Sequence, residues 1–468
     1  MPRKYEVPIK SAAPRFRPIG KFATVENRED CAGSCKECVK KRCVYEVFKE
    51  NYKHLLTMDE PEYLYVCQSC FRCVQECTKG IFSRVVNPEY KDLGDDYWQP
   101  EIISQTWYQA HTGRIPVSGA GYRGSFAGEG FDSMWTDMSE IVRPTRDGIH
   151  GREYINTAIE LSRRPTRLDF RGMSLEMDIP PIVEIPLPVI LRQPDFGVLS
   201  EDVLLAMAKG AQALGTMLLI KLEDYTEAFK PYVKNLAPVL TAGDYKKYAA
   251  LIGDSPMIEV TYSDGIEHEI AGIRDMRPGL IITVGIPLDA EAALKALGMV
   301  NAGVDTLHFY ADDSGRELDA ENPRFLKDMI REVHLKLVDN NVRQKVNLIF
   351  SGGIAMAEHM AKAIICGADA VCVDIPLLIA LECRLCRRCL DGLSCPVKLE
   401  ETTVKWGSQR IVNLIGAWRN QLIEVMGAIG IREARRLRGE VGRSLWFENL
   451  EKESFGPIFG ERKISGVR

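Results

Sequence analysis

From about residue 179 the chain alternates between short apolar runs and amphipathic stretches. The runs IVEIPLPVIL, MLLIKL, APVL, MIEVTY, LIITVGIP, DTLHFYA, VNLIFSGG and AVCVDIP are mostly too short for helices and rich in β-branched residues, the pattern of buried parallel strands. Between them, SEDVLLAMAKGAQALG starts on Ser200, a helix-capping residue, and repeats its apolar positions at helical spacing. ENPRFLKDMIREVHLKLVDNN reads as a long amphipathic helix. LDAEAALKALGMVNAG and AEHMAKAIICGAD each reach a glycine of the kind that stops a helix. Eight strands separated by helices predict an α/β fold, a (β/α)8 TIM barrel, with a doubly wound open sheet as the alternative. In a barrel the active face lies at the strand C-termini, and phosphate often sits on the loops after strands seven and eight. Those loops would be Ser351 to Ile354 and Val373 to Pro376. Gly352 and Gly353 would let backbone N–H groups approach a phosphate; a plain turn explains the pair equally well.

Composition narrows the function classes. Apolar residues make up 46% and charged residues 27%, with a net charge of −5, so nothing points to nucleic-acid binding. No apolar run reaches the roughly eighteen residues of a membrane span, and the most apolar stretch, Ile364 to Leu381, is broken by Asp369, Asp374 and Pro376. The start is basic (Arg3, Lys4, Lys10, Arg15, Arg17, Lys21) without the apolar core of a secretory signal, which predicts a cytoplasmic protein. Residues 1–30 read as an arm that docks on a partner or, more simply, as a solvated tail.

The fourteen cysteines carry the chemistry. Cys366 and Cys372 stand alone in apolar surroundings and read as core. The rest are bunched. Cys67-x2-Cys70-x2-Cys73-x3-Cys77 is the spacing of a bacterial ferredoxin, with Thr78 where proline is usual. Cys31-x3-Cys35-x2-Cys38-x4-Cys43 is a looser version. Tight spacers wrap three corners of a four-iron cube and the fourth cysteine reaches a neighbouring cluster. We therefore expect two [4Fe-4S] clusters, one on Cys31, Cys35, Cys38 and Cys77, the other on Cys67, Cys70, Cys73 and Cys43. A pair of zinc sites is the alternative, since zinc also takes four thiolates. VYEVFKENYKHLL, between the runs, has helical periodicity and suggests a helical ferredoxin; NPEYKDLGDDYW, after them, is polar and turn-rich and reads as a linker. A third group, ECRLCRRCLDGLSCP, places Cys383, Cys386, Cys389 and Cys395 among Arg384, Arg387 and Arg388. It predicts another cluster, whose potential the positive charge would raise; a zinc loop or free surface thiols are the alternatives.

The order of strand, GG, helix, GAD, strand, IALEC, cysteine loop and CPV resembles the FMN-binding barrel of glutamate synthases. So do DFGVLSEDVLLAMAKGAQALG, which contains Gly197, and the later GAIGIREARRLRG. GRIPVSGAG and FDSMWTDMSEIVRP look like the barrel approach in the shorter, archaeal-type members, so the resemblance covers roughly residues 100 to 450. It implies FMN, a three-iron cluster on Cys383, Cys389 and Cys395, and reduction of 2-iminoglutarate to glutamate. The extra Cys386 favours four irons instead. It also implies Gly197, Gly352, Gly353 and Asp374 as cofactor-binding positions. The organisation that follows is a basic arm (1–30), a ferredoxin-like domain (31–90), a linker and barrel approach (91–178), the barrel (179–382), the cysteine loop (383–400) and a C-terminal helical segment (401–468).

The departures from the family cluster at the active face. KLEDY stands for its Gly-Glu-Gly loop, TYSDGIEHE for a glycine-rich run with lysine, and ADDSGRE for Gly-Gly-Thr-Gly. Gly285 holds the position of a flavin-side lysine, and Val373, Asp374 and Ile375 replace Phe-Gly-Ser at the strand-eight loop. A carboxylate within about 4 Å of a phosphate in a low-dielectric pocket costs several kcal/mol. The expected function is therefore an iron–sulfur electron-transfer subunit of a larger redox complex, with other redox subunits or ferredoxin-like carriers as partners. The alternatives are an FMN-dependent glutamate synthase with a built-in ferredoxin domain, and a zinc-bound scaffold.

Overall fold

The structure is a computed structural model; it describes residues 5–16, 19–26, 43–44, 70–80, 82–115, 130–136, 155–164, 170–175, 180–241, 243, 245 and 254–460. Two strands near the start, β1 (Phe22–Glu26) and β2 (Phe82–Val86), pair antiparallel. Eight parallel strands then close a barrel: β3 (Val189–Arg192), β4 (Leu218–Lys221), β5 (Leu236–Leu240), β6 (Met257–Thr261), β7 (Ile281–Pro287), β8 (Thr306–Tyr310), β9 (Asn347–Ser351) and β10 (Ala370–Val373). Six lie inside one of the apolar runs, β3 and β5 exceed theirs by one residue (Arg192 and Leu236), and β10 closes onto β3 through Val371 opposite Val189. The open-sheet alternative is thereby excluded.

The helices end where the sequence places stops. The helix Glu201–Leu214 is capped by the Ser200 hydroxyl, which accepts from Val203 N at 3.4 Å, and ends at Gly215 with φ 67°. The helix Ala357–Cys366 ends at Gly367, with φ 132° and the His334 ring in the space a side chain would take. The helix Val404–Ile429 packs on Glu201–Leu214 through glycines; a Cβ on Gly407 would lie 2.9 Å from the Ala206 methyl. Inside the barrel, Ile190, Leu219, Ala237, Met257, Ile281, Ile349 and Cys372 form an apolar plug, closed at the strand N-termini by Ile159, Leu161 and Ile185 of a short ribbon. Cys366 is equally buried in the outer shell, where desolvation pushes its thiol up to about 12.

Two polar-looking segments are docked. Residues 5–16 lie against the C-terminal helix rather than forming a solvated tail. Tyr5 Oη donates to Leu214 O at 2.6 Å, Asn413 Nδ2 donates to Lys10 O at 2.7 Å and Arg410 Nη1 to Ala12 O at 3.0 Å. The segment read as a linker buries Tyr90, Leu93 and Trp98, and the Trp98 indole donates to Asp313 O at 2.9 Å. The apolar minority in both segments sets their fate, because each residue meets a surface distant in sequence.

At the strand N-termini His334 sits beside Arg343 and Arg438, and burial and these two cations lower its pKa to about 4. The native value is below the roughly 6.5 of an unfolded chain, so the unfolded state binds more protons between the two. Stability should be intact above about pH 6.5 and should fall as pH drops toward 4. Melting curves at stepped pH check this: the midpoint should fall over that window, and His334→Gln should flatten the decline.

Candidate functional site

The cysteine loop follows directly on β10 and the short helix Ile375–Ala380. Cys383, Cys386, Cys389 and Cys395 line one cavity together with Phe196 and Gly197. Glu382 just before the loop (φ 76°) and Leu385 (φ 53°), Arg387 (φ 54°) and Lys398 (φ 43°) within it have left-handed backbones. Alternation of this kind turns successive N–H groups inward to form a concavity for anions, including iron–sulfur clusters. The Leu385 N–H already donates to Cys383 Sγ at 3.4 Å. Burial, and then the neighbouring Cys395, Cys386 and Cys389, push the Cys383 thiol up to about 12. Among the described residues no three His, Cys, Asp or Glu groups converge tightly on a single ion position.

The loop is held from three sides. Arg15 Nη2 donates to Val397 O at 3.2 Å, and its backbone N–H donates to Glu382 Oε1 at 2.8 Å. Arg387 reaches Asp313 at 2.9 Å and Asp95 at 3.3 Å, and lies over the Phe196 ring. Gly94 N donates to Arg384 O at 3.1 Å. The arginines thus tie the loop to the arm, to the docked segment and to the loop after β8.

The N-terminal motif is visible in part. Cys31, Cys35, Cys38 and Cys67 lie outside the described residues, as does the helix expected between the runs. Cys70 is exposed, Cys73 lies in the helix Arg72–Glu76 and Cys77 ends it, and both pack on the buried Phe82 of β2. The β1–β2 ribbon beside these thiols is a sheet element that the helical-ferredoxin expectation lacked. Two loops share a local design. Cys70-Phe71-Arg72-Cys73 has Phe71 at φ 59°, ψ 6°, and Cys386-Arg387-Arg388-Cys389 has Arg387 at φ 54°, ψ 9°. In each, the left-handed residue starts a short helix that carries the next cysteine. The shared C-x2-C-x-R-C pattern, Cys67 to Cys73 and Cys383 to Cys389, is readable in the sequence.

The barrel mouth is built otherwise than the resemblance implies. Asp374 occupies the start of the Ile375–Ala380 helix: Oδ1 accepts from Ile375 N at 2.6 Å and Oδ2 from Arg192 Nη1 at 3.2 Å. The carboxylate takes an N–H of the kind a phosphate would use. Gly352 and Gly353 have φ 92° and 64°, but the space beside them is filled. A Cβ on Gly352 would lie 2.6 Å from Asp312 O, and one on Gly353 2.4 Å from Gly315 N. The pair lacks side chains because the loop after β8 crosses it, and Tyr97 Oη hydrogen-bonds Gly353 O from the other segment. Gly197 lies on the cysteine cavity. Asp312 accepts from Ser314 N and Arg316 N at 2.8 Å each, and Glu317 pairs with Arg324 at 2.8 Å, so both shape the loop.

One set of residues was passed over. Across β6, β8 and β9, His308 Nδ1 lies 2.7 Å from Glu259 Oε2 and its Nε2 lies 2.8 Å from Ser351 Oγ, all three buried. Gly285 on the intervening β7 leaves the gap that the Glu259–His308 contact crosses; a Cβ there would lie 2.9 Å from Glu259 Oε1. The available signal was a polar, titratable residue within each of two apolar strand runs, Glu259 in MIEVTY and His308 in DTLHFYA. Glu259 opens on a cavity of about 410 Å³ at the strand C-termini, which Arg192, Lys221, Glu223, Thr261 and Tyr310 also line.

Residues 249–432 match the model of the conserved region in glutamate synthase. The archaeal-type glutamate synthase [NADPH] of Dehalococcoides mccartyi is 24% identical, over 95% of this chain and 97% of that protein. The archaeal glutamate synthase [NADPH] of Archaeoglobus fulgidus is 25% identical, over 92% and 96%. Among solved structures, a mutant flavocytochrome b2 with pyruvate bound superposes with a TM-score of 0.43 at 12% identity, covering 71% of this chain and 94% of that one. In sequence the chain is glutamate-synthase-like across most of its length. Among the described residues no helix is long and apolar enough to cross a membrane.

Proposed function

We propose that this chain is a glutamate-synthase-like oxidoreductase component that acts as an iron–sulfur electron-transfer subunit of a larger redox complex. One contrast carries the reading. Four cysteines line a single cavity behind a loop of left-handed backbones, while at the loop after β10 the chain's own Asp374 carboxylate takes the helix N–H. Similarity to the relatives suggests both FMN and iron–sulfur chemistry, and the donor set present suits the second. Clusters, when bound, supply one-electron transfer. The chain's part is to fix the thiols, to aim the Leu385 N–H at the Cys383 sulfur and to surround the site with Arg384, Arg387 and Arg388. The docked segment 88–98 ties the cysteine loop to the β1–β2 ribbon, linking the third site to the N-terminal motif by covalent chain and hydrogen bonds. Fitting partners are redox subunits or ferredoxin-like carriers, with no nucleic acid.

A second reading, FMN-dependent glutamate synthesis, is favoured by the cavity that remains at the barrel mouth. An assay separates the two. Anaerobic protein supplied with FMN, 2-oxoglutarate, ammonium and reduced ferredoxin should form no glutamate, while its visible absorbance bleaches with reductant and recovers on adding oxidised ferredoxin. Glutamate formation dependent on FMN would overturn the electron-transfer reading.

A further inference from the structure

The barrel mouth is a constructed cavity, and its charges do not cancel. Arg192 pairs with Asp374 at 3.2 Å and with Asp195 at 2.8 Å, and Lys221 pairs with the same Asp195 at 3.2 Å. Two cations therefore face two carboxylates. Glu223 and Glu259 remain on the lining, and among the described residues neither has an Arg or Lys within ion-pair distance.

Glu259 is the informative one. It is 4% exposed, held from behind by His308, and its Oε1 makes no hydrogen bond among the described residues. A ring that donates Nδ1–H to Glu259 and accepts the Ser351 hydroxyl at Nε2 satisfies all three side chains and leaves Oε1 as the open acceptor. Gly285 is where a side chain would strike that oxygen, so the strand is shaped around it. Oε1 opens onto the cavity, and a cationic donor there would add a charge-assisted hydrogen bond. The hydroxyls of Thr261 and Tyr310 lie on the same lining.

We propose that this cavity binds a small primary ammonium compound, with its –NH3+ group donating to Glu259 Oε1 and its short apolar part against Leu219 and Val239. The site needs neither flavin nor cluster, so it stands or falls separately from the electron-transfer reading. Arg192 and Lys221, locked in their ion pairs, wall the mouth rather than recruit an anion.

Isothermal titration calorimetry on the anaerobically purified full chain tests this, with propylammonium chloride as probe and sodium chloride and sodium butyrate as controls at matched ionic strength. Propylammonium should bind saturably in the millimolar range or tighter and butyrate should not. Glu259→Gln should weaken binding about tenfold or more. Lys221→Met, at a half-exposed position, removes a cation and should leave ammonium binding unchanged or tighter. Saturable butyrate binding lost in Lys221→Met would overturn the proposal, as would propylammonium heats no different from those of sodium chloride.

Discussion

Replacing Cys386 with alanine should convert one four-iron cluster into a three-iron one, with loss of roughly one iron per chain. The expectation rests on position. Cys386 lines the same cavity as Cys383, Cys389 and Cys395, and it precedes a left-handed Arg387 as Cys70 precedes a left-handed Phe71. The related family, by resemblance, manages with three ligands at this loop, so the variant has the donor set for a stable product. Electron paramagnetic resonance reads the change. The air-oxidised variant should show an S = 1/2 three-iron signal that the parent lacks, and the dithionite-reduced parent should show one more four-iron centre than the variant. Identical spectra would mean that Cys386 is not a ligand. Cys383→Ser removes a thiol central to the loop and should abolish that cluster altogether.

The second large effect is on stability. Asp369, at the start of β10, accepts from Arg343 Nη2 at 2.7 Å, Arg438 Nη1 at 2.6 Å and Leu348 N at 2.8 Å. Although burial works to raise its pKa, the two guanidinium groups hold the carboxyl below the usual range. Arg343 is itself buried, and it also donates to the carbonyls of Val346 and Gly367. The cluster thus joins β9, β10 and the C-terminal segment at the closed end of the barrel. Arg343→Met leaves a buried carboxylate with one cation fewer and should cost about 3–5 kcal/mol. Asp369→Asn with Arg343→Met should recover part of that loss, because the uncompensated charge is gone. Denaturant unfolding of both variants measures it; a single-variant cost within the roughly 0.5 kcal/mol of an ordinary surface change would contradict the account.

What could be read from sequence depended on range. The barrel was legible because each strand announces itself locally: a short apolar run, a flanking helix period, a glycine stop. Ser200 and Gly215 needed no knowledge of the rest of the chain. The arm and the segment 87–98 were misjudged for the opposite reason. Their composition is polar, but Ala12, Tyr90 and Trp98 find burial on elements far away in sequence. That Gly352 and Gly353 lack side chains because the loop after β8 crosses them could be seen only in the fold. Glu259 and His308 could be paired only once β6 and β8 were known to flank a strand with glycine at position 285. The cysteine spacings, by contrast, are local, and the loop 383–395 brings all four of its thiols to one cavity.

The measurement that bears most directly on the electron-transfer assignment is the content of iron, acid-labile sulfide, zinc and released flavin in anaerobically purified full-length protein. The account predicts iron and sulfide near the roughly twelve of each that three four-iron clusters require, with flavin and zinc well below one per chain. One FMN per chain beside the clusters would contradict it and return the barrel to flavin catalysis; zinc without sulfide would end the redox reading altogether.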